Sequence, residues 1–199
     1  MAREKNITYA ATAQARTARR RASWNLVVAN SFDEAEAETR VLSKNSVNHF
    51  MAKIKLAADF KDFLKLCLQN EVRFLVIGGY AVIHHSRPRY TGDLDVWIDS
   101  SLDNARRVVT VLEEFGFPPE TLSTEMITDG KKIIRMGFEP MRLELFTSIP
   151  GVAFNSCYER RDLVKIGRMH VPFISLQDLK INKLASGRPK DLQDMEELP

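Results

Sequence analysis

The sequence is short of several things, and each shortage narrows what the protein can be. Cysteine occurs twice in 199 residues, as Cys67 and Cys157. Neither has a second cysteine or a histidine at zinc-ligand spacing, so a structural zinc built on cysteine is not expected. Cys67, in an apolar helical stretch, reads as a small core residue, and the sparse usage fits a reducing cytoplasm. No apolar run approaches the ~20 residues of a membrane span, and the start lacks the apolar core of a secretory signal. No internal repeat is present. Charge of one sign is also lacking: the formal net charge is +3 and the pI about 8.9. That weak basicity permits a nucleic-acid partner without arguing for one.

What is present is the profile of a soluble globular domain, with 44% hydrophobic and 28% charged residues. Residues 1–50 read as an extension, either a disordered tail or a mis-called start with Met51 as the initiator; an organelle transit peptide is the alternative. The first thirty residues are rich in Ala and Arg, with Glu4 as the sole acid and a basic triplet at Arg19-Arg20-Arg21. The triplet reads as solvated tail. Asp33-Glu34-Ala35-Glu36-Ala37-Glu38 follows, and apolar residues are too sparse for a strong packing face.

From residue 51 to residue 199 the chain becomes periodic and reads as one domain. Phe60, Phe63, Leu64 and Cys67 recur at helical spacing in a helix ending near Asn70. Arg73–Ile77 is a short buried strand bounded by Gly78, and Tyr80–His85 forms a short helix ending in His84 and His85, read as non-catalytic. Asp93–Ile98 alternates polar and apolar residues as a strand does. Ser100 or Ser101 caps a helix to Phe115 with a stripe of Leu102, Ala105, Val108, Val109 and Leu112, stopped by Gly116, Pro118 and Pro119. Residues 132–138 and 141–147 are expected to form a hairpin across Glu139-Pro140. Short strands follow at Leu163–Ile166 and His170–Ile174. Ser175 then caps a helix through Leu176, Leu179, Ile181 and Leu184, broken at Gly187-Arg188-Pro189, and a last helix starts near Lys190. This order predicts an α/β (α+β) fold, a small mixed β-sheet with helices packed on it.

Three features carry chemistry. The strand ending at Ile77 runs into Gly78-Gly79 and a helix start, where the backbone can approach a phosphate. After 13 intervening residues comes Asp93-Leu94-Asp95-Val96. Residues i and i+2 of a strand share a face, so Asp93 and Asp95 stand side by side. Like charges so placed repel, and a magnesium ion bound with substrate phosphates gives the pair a reason. The plainer alternative is a solvated strand face. Third, Arg142-Leu143-Glu144-Leu145-Phe146 is an alternating strand; if it neighbours the Asp93 strand, Glu144 completes a three-carboxylate cluster of the kind that serves phosphoryl displacement. Its alternative is a surface glutamate paired with Arg142 or Lys131. Arg87 and Arg89 flank the loop before the acids and could meet phosphate, or Arg89 could pair with an acid. Trp97, beyond the acids on the same face, reads as packing before base stacking.

The glycine pair and Asp-x-Asp together resemble the signature of the polymerase-beta-like nucleotidyltransferase superfamily. Gly78-Gly79-Tyr80-Ala81-Val82 with Arg89-Tyr90-Thr91-Gly92-Asp93-Leu94-Asp95 is similar to its AbiEii/AbiGii-type, toxin-like branch, as are Asp178–Ala185 and Arg188-Pro189-Lys190-Asp191-Leu192-Gln193-Asp194. The resemblance covers about residues 70–195. It implies a nucleotidyltransferase fold and transfer of a nucleoside monophosphate from an NTP to an acceptor hydroxyl, with Mg2+ or Mn2+ as cofactor. It further implies metal ligation by Asp93, Asp95 and Glu144, and nucleotide binding by Gly78, Gly79, Arg89 and Thr91. Lys183 would reach the phosphates or brace the site, with Asp191 and Asp194 supporting it. The third acid is Glu where the family more often has Asp. The implied setting is a toxin–antitoxin or phage-defence system in the cytoplasm, with tRNA or another RNA as acceptor and a cognate antitoxin protein as partner. The run 32–38 is similar to small proteins encoded beside such toxins. A small-molecule (aminoglycoside- or lincosamide-type) transferase and a non-catalytic nucleotide-binding module are the alternatives.

Overall fold

The computed structural model describes residues 54, 56–138 and 141–199, together with the backbone of 7–9 and 26–29. Helix α1 (Ala58–Gln69) leads into β3 (Phe74–Val76), α2 (Gly78–His85) and β4 (Leu94–Ile98). Helix α3 (Leu102–Phe115), a single 3-10 turn (Pro119–Thr121) and α4 (Glu125–Thr128) precede the hairpin of β5 (Ile133–Phe138) and β6 (Met141–Phe146). Then come α5 (Phe154–Glu159), the hairpin of β7 (Asp162–Ile166) and β8 (Met169–Phe173), and the closing pair α6 (Leu176–Ser186) and α7 (Pro189–Glu197).

These strands form one mixed sheet in the order β5-β6-β4-β3-β8-β7, and two short strands, β1 (Ile7–Tyr9) and β2 (Leu26–Ala29), continue it beyond β5. Their sequences, Ile-Thr-Tyr and Leu-Val-Val-Ala, are rich in strand-forming residues. The remainder of that segment, including Arg19–Arg21, the acidic run 32–38 and Met51, lies outside the described residues, as do Glu139 and Pro140 at the hairpin tip.

The parallel pairing of β4 with β6 decides where the chemistry can sit. It sets Leu94 opposite Leu143, Asp95 opposite Glu144, and Val96 opposite Leu145. Because side chains alternate along a strand, one face receives Asp93, Asp95, Arg142 and Glu144 while Leu94, Val96, Leu143 and Leu145 enter the core, each fully buried. That core is shared with α1 and α3, where Phe63 and Phe115 meet edge to face at 5.3 Å between ring centres. Trp97 is buried and meets Phe154 edge to face at 5.1 Å, a packing role.

Several details depart from expectation, each for a physical reason. The buried stripe of α3 is Asn104, Ala105, Val108, Val111, Leu112 and Phe115; Leu102 is half exposed and Val109 only partly covered. The helix is rotated so that Asn104 can accept from the Arg73 amide at 2.7 Å and donate to the Asp99 carbonyl at 2.7 Å. Ser101 precedes α3, but its hydroxyl donates to Asp99 rather than capping the helix. Helix α2 begins at Gly78, two residues before the expected Tyr80. In α6 the inward residues are Asp178, Leu179 and Lys183, whereas Ile181 and Leu184 are exposed. Ser175 does cap α6, accepting from the Asp178 amide at 3.2 Å. Neither α4 nor α5 was foreseen; at four and six residues they are too short to show a helical period.

Removing the Phe63 ring tests the α1–α3 packing. Phe63→Ala should lower unfolding free energy by about 3–5 kcal/mol in urea denaturation, and a loss below about 1 kcal/mol would contradict this burial.

Candidate active site

An open cleft of about 860 Å³ lies against the acid-bearing face of the sheet. Its floor is Asp93, Asp95, Arg135, Arg142 and Glu144; Gly78 and Gly79 form one wall, and Lys183, Arg188, Lys190, Asp191 and Asp194 of the α6–α7 corner form another. Arg89 also lines it, while Thr91 does not.

The glycine pair makes the closeness of the wall and the floor possible. Gly78 has φ +58°, and a Cβ there would lie 1.9 Å from Oδ2 of Asp95. A Cβ on Gly79 would lie 2.4 Å from Oγ1 of Thr91. The volume that side chains would occupy is thus filled by the acid strand and the loop before it. The Gly79 amide donates to the Asp95 carboxylate, and the Ile77 amide donates to the Asp95 carbonyl at 3.0 Å. The first turn of α2 is therefore directed at Asp95. Thr91 acts from behind Gly79 rather than from the cleft wall.

Asp95 is the most perturbed acid of the site. Burial, then the nearby charges of Glu144 and Asp93, push its carboxyl up to about 7, against a smaller opposing pull from the Gly79 amide and Lys190. Burial also raises Glu144, and the guanidinium groups of Arg135 and Arg142 act against it. Arg135 donates to Glu144 at 2.9 Å, and Arg142 lies 3.9 Å from the same carboxylate. Arg142 also holds Asp93 through both oxygens, at 3.0 and 3.3 Å. So Glu144 is a buried acid between two arginines rather than a surface glutamate. Arg135 was missed in the sequence because its strand reads as core; only the register of β5 on β6, which sets it opposite Glu144, reveals it.

The α6–α7 corner is a second charged network. Lys183 Nζ lies 2.7 Å from carboxylate oxygens of both Asp191 and Asp194, all three side chains being almost wholly buried. Arg188 donates to Asp191 at 2.6 Å, and Arg89 pairs with Asp194. Burial would raise Asp191, but the bonds from Arg188 and Lys183 outweigh it and hold the carboxyl below its usual range. Asp178 does not join them: it accepts from Arg160 at 2.7 Å and from the Ser175 hydroxyl at 2.8 Å, fixing the start of α6. Arg87 is exposed beside the loop, outside the residues lining the cleft.

This geometry can be set beside known proteins. Residues 54–198 match the model of a family described as "Nucleotidyltransferase of unknown function (DUF6036)". The chain belongs to that family. It is thus a transferase of the nucleotidyltransferase type, with a nucleotide as substrate. Among solved structures, a candidate nucleotidyltransferase from Thermotoga maritima (TM1012) is similar at 16% identity over 69% of this chain and 88% of that chain, with a TM-score of 0.47. No match was found among the curated proteins. Among the described residues, no helix is long and apolar enough to cross a membrane.

The chemistry of the three acids suits a divalent cation of the kind nucleotidyltransferases generally use, although Arg142 holds Asp93 and the carboxylate oxygens of the three are not all gathered within 4.8 Å of one another. All three acids offer hard oxygen ligands, and Asp95 is a carboxyl whose charge the neighbouring acids disfavour. Without an ion, Asp95 binds protons more tightly folded than unfolded between its ordinary value of 3.8 and about 7, so its ionisation lowers stability as pH rises through that window. Asp95→Asn should therefore stabilise the metal-free protein at pH 7.5, by on the order of 1–2 kcal/mol given water in the cleft. The gain should vanish near pH 4. Urea denaturation in EDTA at the two pH values measures it, and an equal gain at both would contradict the assigned cause.

Proposed function

We propose that this nucleotidyltransferase moves a nucleoside monophosphate from an NTP to an acceptor hydroxyl, with magnesium or manganese as cofactor, and that it is an AbiEii/AbiGii-like toxin acting on tRNA. The observation that carries the chemical part is the register of β4 on β6, which puts Asp95 beside Glu144 on the face that bears Asp93. A divalent ion held by Asp93 and Asp95, with Glu144 as the third acid, would supply charge neutralisation at the reacting phosphate.

The chain's own residues supply the rest. Lys190 and Arg188 stand on the α7 side of the cleft, facing the acids across it, and give a triphosphate an electropositive wall. Lys183 braces that wall from beneath: its ammonium is committed to Asp191 and Asp194, so it acts by orienting the start of α7. Arg89, through Asp194, fixes the loop before the acids to the same helix. Glu144, its carboxyl raised by burial, is the group suited to accept the proton of the incoming hydroxyl. Arg142 holds Asp93 in place in the free protein and exchanges that contact for substrate phosphate when the nucleotide binds.

The acceptor and biological role rest on the likeness of the Arg89–Asp95 and Arg188–Asp194 stretches to the toxin-like branch. The test is to incubate the full chain with magnesium, each α-labelled NTP and total tRNA, beside Asp93→Ala and Glu144→Gln. Label should move to tRNA with wild type and fall by at least about 100-fold in Asp93→Ala. Label moved only to aminoglycosides or lincosamides would replace the tRNA reading with a small-molecule transferase. Magnesium-dependent NTP binding with no transfer to RNA, protein or small molecules would leave a binding module. Expression should arrest growth for wild type and not for Asp93→Ala, and unaffected growth would remove the toxin role.

A further inference from the structure

A second group of ligand-bearing side chains lies apart from the cleft, where the end of α2 meets the start of β7. His84, His85 and Asp162 present ligand atoms that all lie within 4.8 Å of one another, the one such group of three among the described residues. His84 Nε2 is 3.2 Å from Asp162 Oδ2, and His85 Nδ1 is 3.9 Å from the same oxygen. A tetrahedral ion with bonds near 2.0–2.1 Å needs ligand atoms about 3.3 Å apart. Small side-chain adjustments close the group onto such an ion, and Asp162, half exposed, is free to make them.

The orientation of His85 is the deciding detail. Its Nε2 lies 2.8 Å from the Ile174 carbonyl, an acceptor only, so Nε2 carries the hydrogen. The neutral ring then turns the lone pair of Nδ1 toward the Asp162 carboxylate. Two acceptors facing each other repel unless a cation lies between them. A backbone carbonyl fixing the tautomer of a liganding imidazole is also how metal-binding histidines are commonly held. The His84 ring is positioned in turn by Phe173, with ring centres 5.3 Å apart.

We propose that His84, His85 and Asp162 bind a divalent transition-metal ion, zinc by their chemistry, which ties the last turn of α2 to β7. Two imidazoles and one carboxylate favour a borderline ion over magnesium, whereas the all-oxygen acids of the cleft favour the reverse. The two sites are therefore separable by the metal used, and this proposal does not rest on the transferase reading. The helix being tied is the one whose first residue, Gly78, makes room for Asp95.

The test uses the untagged full chain stripped with EDTA, titrated with Zn2+ against a chromophoric chelator and in parallel with Co2+. One ion per chain should bind, and the Co2+ complex should show visible absorption without a thiolate charge-transfer band. His84→Ala and Asp162→Asn should each weaken zinc binding by about tenfold or more, with Asp93→Ala unchanged. Asp162→Asn alters an exposed side chain, so it decides the matter should His84→Ala fold poorly, which thermal melting of both variants reports. No stoichiometric binding, affinity unaltered in Asp162→Asn, a thiolate band, or loss in Asp93→Ala would each overturn the proposal and leave a simple His–Asp hydrogen bond.

Discussion

Three carboxylates on one face of two neighbouring parallel strands repel one another, and much of the surrounding structure answers that repulsion. Asp95 and Glu144 are register partners across β4 and β6, and Asp93 shares the strand face of Asp95. Arg142 spans Asp93 and approaches Glu144, and Arg135 reaches Glu144 from β5. The α2 amide of Gly79 is aimed at Asp95. Even so, Asp95 remains burdened enough that its carboxyl holds a proton up to about 7. A folded domain retains so unfavourable a cluster where function requires it.

The glycine pair takes its meaning from the same constraint. Helix α2 can start beside the acid strand only if nothing projects from its first two residues. Asp95 and Thr91 occupy the space that side chains at Gly78 and Gly79 would need. The turn thus serves Asp95 directly, since the Gly79 amide donates to its carboxylate. Across the cleft, α6 and α7 bury Lys183 with Asp191 and Asp194, which take two of the three donors of its ammonium.

What was legible in the sequence followed from short-range periodicity. The Asp93–Asp95 spacing, the alternation in 142–146 and the Gly78-Gly79 junction each express local backbone geometry, and each led to the correct face or turn. The strand order was not legible: that β4 and β6 are neighbours, with Glu144 opposite Asp95, depends on a crossover through α3, α4 and β5. Arg135 was hidden for the same reason, since the sheet brings it to Glu144, while the support of Lys183 by Asp191 and Asp194 was implied by the family resemblance and not by local periodicity. The face of α3 was misjudged because Asn104, a polar residue, is buried to serve the Arg73 and Asp99 backbone. Periodicity counts apolar residues and cannot see a polar one that is buried by its hydrogen bonds. The pairing of His85 with Ile174 and of His84 with Asp162 likewise spans distant segments.

The central claim is that the acids are crowded in the free protein and that a divalent cation relieves the crowding. The most direct measurement is the pH titration of the Asp95 side-chain carboxyl by carbon-13 NMR, in EDTA and in saturating magnesium. The account predicts a midpoint near 7 without the ion and a fall toward the ordinary carboxylate range when magnesium is added. A midpoint near 4 in EDTA, or one that magnesium leaves unmoved, would contradict it.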